Sequence, residues 1–333
     1  MFGKAEKTAL VSKWATVAAL VLTYALAGVC SQVRPEIRQI ETVTVSTQQF
    51  LRGDKKGKPT LLAAELRIPT TGRAGRLPAV ILIHGSSGLA EFHERWAQEI
   101  NSIGVAAFLV DSFSGRRITS ATDDQSQLDS LAMMVDAYRG LGALAQDSRI
   151  DANRIAVMGF SKGAVAAVYS SNERFRKMYA PPDVRFAAHI GLYTPCITTY
   201  RADDKVTGKP IRLFHGIADD YVPIGPCREY VERLKKAGVD VTLTEYLGAY
   251  HGYDNFLSKS DSEPLMLPQA VTARNCRAVE GDNGLILNSK TGKPFNIGTD
   301  CERGAHIAYN EVATTATVKA VKEFLVATFS LKP

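Results

Sequence analysis

The stretch that most constrains this chain runs from Arg154 to Ser170: Arg-Ile-Ala-Val-Met-Gly-Phe-Ser-Lys-Gly-Ala-Val-Ala-Ala-Val-Tyr-Ser. Its centre, Gly159-Phe160-Ser161-Lys162-Gly163, reads G-x-S-x-G. Ile155 to Met158 is an apolar run of buried-strand length, and Ala164 to Val168 is small and apolar, suited to a helix packed tightly on a sheet. When a strand turns straight into a helix around a serine, the residues two places either side crowd together, and glycine leaves the room. The five-residue pattern by itself is common. The strand before it and the helix after it are what make it a serine raised on a sharp turn.

The rest of the chain supplies the sheet for such a turn. A continuous apolar run at Ala79–Ile83 suits a strand buried on both faces, as parallel sheets require, and Val105–Val110, Phe186–Leu192 and Ile211–His215 also read as strands. A further strand reads over Val239–Leu247. Helical spacing is found over Phe92–Ser102, Gln125–Gln146, 162–171, Ile224–Ala237 and Asn310–Phe329, with Gly238 placed as a helix C-cap. Nearer the N-terminus, Glu41–Phe50 alternates and is β-branched, so it reads as a strand. A polar turn follows at Gly53–Pro59, then a second strand at Thr60–Ile68, antiparallel to the first. Repeated β–α units predict an α/β fold: a mostly parallel central sheet flanked by helices, with antiparallel N-terminal strands. About 300 residues suit one large domain, taken as 41–330. Leu257 to Ile307 breaks the rhythm. It is polar and rich in Gly, Asn, Pro and Thr, and is expected to be an ordered insertion near the site.

The first residues look removable. Lys4, Lys7 and Lys13 precede an uncharged, mostly apolar run from Trp14 to Val29, shorter than the ~20 apolar residues of a membrane span. Ala25-Leu26-Ala27 matches a signal-peptidase site. Residues 1–27 are therefore expected to be a signal peptide, residues 28–40 a tether, and the protein exported to the periplasm or beyond. An uncleaved anchor, or a lipidated Cys30, would instead leave it on a membrane. The formal charge of +6 is mild and no Lys/Arg run occurs, which argues against a nucleic-acid partner. None of the five cysteines forms C-x-x-C, which speaks against zinc or thioredoxin-type chemistry. In an oxidising compartment four could form two disulfides. We expect Cys196–Cys227 and Cys276–Cys301, although four cysteines allow three pairings.

A serine hydroxyl needs a base to attack a carbonyl, and the base needs an orienting carboxylate. After an elbow of this kind the acid follows first and the histidine later. Phe214-His215-Gly216-Ile217-Ala218-Asp219-Asp220 ends a buried strand and puts Asp219 and Asp220 at its C-terminal edge, where sites of open α/β sheets form. Asp219 is the first choice and Asp220 the alternative. After the next strand, His251 sits in Gly248-Ala249-Tyr250-His251-Gly252, with His306 second. His84, His93, His189 and His215 precede the acid and read as structural. The oxyanion would be held by two backbone amides: that of Lys162, at the helix start, and that of Ser86 or alternatively Ser87, in His84-Gly85-Ser86-Ser87-Gly88. In this reading Lys162 acts through its amide alone, and its side chain is replaceable.

Together, His84–Gly88, Asp111-Ser112-Phe113 with Arg116 nearby, Gly159–Gly163, Gly216-x-x-Asp219-x-x-Val222-Pro223 and Gly248-Ala249-x-His251-Gly252 resemble the dienelactone hydrolase family of α/β-hydrolases. The resemblance spans residues 79–256. It implies an eight-stranded type of sheet and hydrolysis of esters or lactones through a Ser or Cys nucleophile, and it favours Asp219 over Asp220. The founding members carry Cys where this chain has Ser161. Asp111 with Arg116 or Arg117 is expected to prop the site loops; a clamp for a substrate carboxylate is the other role for one of these arginines. The expected activity is hydrolysis of a small-molecule carboxylic ester or lactone through an acyl-enzyme, with no metal or organic cofactor. A serine peptidase or acyltransferase uses the same triad, and a non-catalytic binding protein the same fold.

Overall fold

The computed structural model describes residues 35–69, 75–259 and 263–331. In chain order the elements are β1 (Pro35–Thr44), α1 (Thr47–Leu51), β2 (Lys58–Arg67), β3 (Leu77–Ile83), α2 (Glu91–Ser102), β4 (Ala106–Asp111), α3 (Ser130–Ala145), β5 (Ile150–Phe160), α4 (Lys162–Tyr169), α5 (Glu173–Tyr179), β6 (His189–Leu192) and β7 (Thr198–Thr199). There follow β8 (Ile211–Gly216), α6 (Gly225–Lys236), β9 (Val241–Tyr246), β10 (Leu265–Val271), β11 (Ala278–Glu280), β12 (Ile286–Asn288), α7 (Ile297–Asp300), β13 (Arg303–Ile307) and α8 (Glu311–Thr328).

Eight strands form one sheet in the order β1-β2-β4-β3-β5-β6-β8-β9. β2 runs antiparallel to β1 and β4, and every pairing from β4 through β9 is parallel. Side chains alternate across a strand, so each central strand feeds two cores. Ile81 and Ile83 of β3 join Phe108, Val157, Val168 and Tyr138 under α3 and α4. Val80 and Leu82 join Trp96, Met158, Val321 and Leu325 under α2 and α8. The sheet is thus covered on both faces, as the apolar run at Ala79–Ile83 predicted.

Two N-terminal expectations are corrected. Glu41–Phe50 is not one strand: β1 starts earlier, stops at Thr44, and gives way to α1. Ser46 and Gln49 close a capping box, with Ser46 Oγ accepting from Gln49 N at 3.2 Å and Ser46 N donating to Gln49 Oε1 at 2.9 Å. That S-x-x-Q signal wins over the alternation, and helical winding puts Phe50 and Leu51 into the core. Of the expected tether, residues 35–40 lie within β1. Residues 28–34, the expected signal peptide and Cys30 lie outside the described residues. Helix α3 begins at Ser130 rather than at Gln125, which belongs to a separate 3₁₀ turn.

The 263–307 segment has a small core of its own. The strand pair β10–β13 and the β11–β12 hairpin surround Cys276 and Cys301, which pack with Ile197, Tyr221, Ala270 and Ala305. Strand β11 also pairs with β7, tying the insertion to the main body.

Candidate active site

Ser161 stands between β5 and α4 with φ 52° and ψ −116°. An L-residue with positive φ and this ψ is strained by roughly 1–3 kcal/mol, and the turn persists only because its surroundings enforce it. The glycines make the turn possible by close approach. A Cβ on Gly159 would stand 2.2 Å from Gly163 O, and one on Gly163 would stand 2.3 Å from both Ile83 O and His84 O. Phe160 anchors the turn against Phe92 and His93 in edge-to-face contacts.

From the ends of β8 and β9, two loops bring the acid and the histidine to this serine. His251 Nε2 lies 2.9 Å from Ser161 Oγ, and His251 Nδ1 lies 2.8 Å from Asp219 Oδ2. Asp219 Oδ1 accepts from the amides of Tyr221 (3.0 Å) and Val222 (2.7 Å), so both carboxylate oxygens are engaged. Burial alone would raise the Asp219 pKa. The charge of His251 and hydrogen bonds from His215 and His251 outweigh it and hold the carboxyl below its ordinary range. An ionised Asp219 assigns the proton on Nδ1, which leaves Nε2 free to accept from Ser161. The arrangement can therefore draw a proton from the serine hydroxyl and store the resulting charge beside a carboxylate.

Sequence reasoning missed what braces the histidine. The rings of Tyr193 and Tyr221 flank His251, with centroids 4.7 and 4.6 Å away. The Tyr193 hydroxyl donates to Asp254 Oδ1 at 2.8 Å, and Trp96 Nε1 donates to Asp254 Oδ2 at 2.7 Å. Burial pushes the Asp254 carboxyl up, against the pull of those two donors. Asp254 ties the loop carrying His251 to α2. A carboxylate three residues after the histidine was the only trace of this in the sequence.

The two second-ranked candidates meet each other instead of Ser161. His306 Nδ1 lies 2.8 Å from Asp220 Oδ2, and His306 N donates to Asp220 Oδ1 at 2.9 Å. This pair fastens β13 to the acid loop, and Ile307 bridges in parallel to His251. The insertion is thereby held against both loops that deliver Asp219 and His251.

Gly85 abuts the elbow, since a Cβ there would lie 3.3 Å from Ser161 Cβ. The loop is braced by His84, whose Nδ1 donates to Gly85 O at 2.8 Å while Nε2 accepts from Ser112 N at 3.1 Å. Ser86 is buried and lines the same cavity as Ser161 and Lys162, whereas Ser87 is exposed. The amide of Lys162 opens α4, where it has no partner within the helix.

Three expectations about side chains change. Lys162 is not idle beyond its amide: the residue is 6% exposed, and Nζ donates to Gln125 O at 2.8 Å and to Gln125 Oε1 at 3.1 Å. Burial lowers its pKa to about 8, opposed by Asp129 and Asp124. Asp111 and Arg116 do prop the loop after β4, but separately. Asp111 Oδ1 accepts from Phe113 N and Ser114 N, while Arg116 forks onto Asp136 at 2.8 and 2.9 Å and donates to Thr44 Oγ1 and Ser112 O. Neither is among the residues lining the cavity over Ser161, and the Arg116 guanidinium is taken up by Asp136, Thr44 and Ser112.

The cavity over Ser161 measures about 390 Å³, the size of a small-ligand site. Its apolar wall combines Leu131, Val165 and Ile197 with Val271, Ile286, Phe295 and Ile297 from the insertion. Disulfides join Cys196 to Cys227 and Cys276 to Cys301. The second closes the insertion that forms this wall.

A mostly parallel eight-stranded sheet, helices on both faces and a serine raised after a central strand define the α/β-hydrolase fold. The dienelactone hydrolase family matches residues 62–281, and the chain belongs to that family; it is a hydrolase. A Bradyrhizobium sp protein described as a probable 2-oxo-3-(5-oxofuran-2-ylidene)propanoate lactonase is 24% identical over 195 residues, covering 54% of this chain and 74% of the relative. Among solved structures, a dienelactone hydrolase-like promiscuous phosphotriesterase from metagenomic libraries aligns with TM-score 0.53 at 14% identity, covering 88% of this chain and 98% of its own. Thermogutta terrifontis esterase 2 aligns with TM-score 0.52 at 18% identity, covering 90% and 96%. These structures share the fold.

Proposed function

We propose that the protein hydrolyses small carboxylic esters or lactones through an acyl-enzyme on Ser161. The observation that carries this is the unbroken contact chain Ser161 Oγ–His251 Nε2 and His251 Nδ1–Asp219 Oδ2, at 2.9 and 2.8 Å, opening onto a mostly apolar cavity. Ser161 attacks the carbonyl as His251 takes its proton. Asp219 steadies the imidazolium, and the amides of Lys162 and Ser86 receive the oxyanion. His251 returns the proton to the leaving oxygen, and water then reverses the steps to free the acid. The relative named as a lactonase supports including cyclic esters.

Export is part of the proposal. Two disulfides fit an oxidising compartment, and among the described residues no helix is long and apolar enough to cross a membrane. The test is Ser161→Ala assayed on short p-nitrophenyl esters, together with mass spectrometry after treatment with paraoxon, which phosphorylates the Thermogutta esterase. Activity should vanish, and the adduct should sit on the peptide holding Ser161. Wild-type turnover by S161A would overturn the proposal.

A further inference from the structure

Among the described residues, Lys162 is the only lysine or arginine that is buried as a whole residue. Both hydrogen bonds of its ammonium go to one neighbour, Gln125, through the backbone O at 2.8 Å and Oε1 at 3.1 Å. Neither acceptor is a carboxylate, so the charge is buried without an ion-pair partner at contact distance. Such an arrangement is costly and calls for a reason.

Gln125 supplies one, because its Oε1 is shared. It also accepts from Ser86 Oγ at 2.9 Å. On its other side Ser86 O accepts from Ala121 N at 2.7 Å. The segment 121–125 therefore grips Ser86 through both its side chain and its carbonyl, and Lys162 grips that segment. Of the two amides proposed to receive the oxyanion, only that of Ser86 needs this link. The amide of Lys162 is fixed by helix α4. The amide of Ser86 stands in a loop between Gly85 and Gly88 and has no ladder to hold it.

We propose that Lys162 is a positioning residue for the oxyanion hole: its ammonium, acting through Gln125, holds Ser86 so that the amides of Ser86 and Lys162 converge on one oxygen. One residue then contributes the first donor with its backbone and places the second with its side chain. Hydrogen bonds from a charged donor are stronger than neutral ones, which suits a tether that must hold a loop still. A donor displaced by about 1 Å costs roughly 100-fold in rate, and a lost donor 100- to 1000-fold.

The inference rests on Ser161 being the nucleophile, and the experiment separates the two. Wild type, S161A, K162M, S86A and the double variant K162M/S86A are compared at saturating p-nitrophenyl ester, with thermal melts to establish folding. S86A keeps its amide and loses only the bond to Gln125. Both single variants should lower kcat, K162M by roughly 10- to 100-fold, with KM changed no more than a few-fold. Because they cut the same link, the double variant should fall within about threefold of K162M. A wild-type kcat for K162M, or a double variant showing the product of the single losses, overturns the inference. Activity in S161A would instead overturn the nucleophile. Should K162M fail to fold, Q125L replaces it in the same cycle, with the same two outcomes.

Discussion

Replacing Asp219 by asparagine isolates the step in which the acid chooses the histidine's tautomer. In the native site Oδ1 accepts two amides, from Tyr221 at 3.0 Å and Val222 at 2.7 Å, while Oδ2 receives His251 Nδ1 at 2.8 Å. The two amides demand an oxygen, and leaving both buried donors unpaired would cost about 1–3 kcal/mol each. The new carboxamide must therefore keep its oxygen there and turn its NH₂ toward His251. Nδ1 can then only accept, so the imidazole proton moves to Nε2, 2.9 Å from Ser161 Oγ. A protonated Nε2 cannot take the serine's proton. Loss of the base through the wrong tautomer is worth on the order of 10⁴ in kcat, or about 5–6 kcal/mol of barrier. Asp220→Asn is the matched control. Asp220 faces His306 and lies about a third exposed, so its loss should cost no more than about 1 kcal/mol of stability and leave kcat within a few-fold. Both variants are to be assayed on short p-nitrophenyl esters, with thermal melts to show that they are folded. A D219N enzyme within tenfold of wild type, or a D220N enzyme as impaired as D219N, would refute the reasoning.

Arg116→Met should strand the fully buried Asp136 carboxylate and destabilise the fold by about 3–5 kcal/mol in urea unfolding, without changing the preference between neutral and anionic esters. Removing the Cys276–Cys301 disulfide by C276S/C301S opens a loop of sequence separation 25 and should cost about 3–4 kcal/mol. KM should rise more than kcat falls, since the insertion walls the cavity and does not supply the triad. The Lys162 side chain predicts a pH signature in stability. Burial puts its folded pKa at about 8, below the unfolded value, so the cost of the buried charge is fully present below pH 8. As pH rises from 8 toward the unfolded value, the folded protein sheds this proton before the unfolded chain does. Wild type should therefore gain on the order of 3 kcal/mol relative to K162M between pH 7 and pH 10, read as a difference of unfolding free energies. A difference that stays flat with pH would refute this.

Much of the architecture was legible because it rests on local patterns. Ala79–Ile83 read as a strand buried on both faces and Ile211–His215 as a strand, and the sheet is covered on both faces. Helices α2, α6 and α8 lie within a residue or two of where their spacing put them. Where reading failed, two local signals competed. Alternation at Glu41–Phe50 argued for a strand, while Ser46 and Gln49 carried a capping box that decided for a turn of helix. At Asp219 and Asp220 two adjacent carboxylates share one chemistry; Asp219 was the first choice, and the fold sets it against His251 and Asp220 against His306.

What the sequence determined by itself was the order of parts. A glycine-flanked serine follows an apolar strand, an acid follows a later one, and a histidine the next, with small residues placed where backbones must touch. Those are short-range facts, set by steric room and by periodicity. Only the tertiary structure decided the partners. It set Asp220 on His306, Arg116 on Asp136, Tyr193 on Asp254 and Lys162 on Gln125. Each of these pairs is bounded by burial and by which loops share a sheet edge. Three of these pairs are 37 to 86 residues apart in sequence and Arg116 and Asp136 are 20 apart, so no local pattern marks their proximity. The Lys162 side chain, read from the motif as replaceable, is buried by the fold and bonded to Gln125.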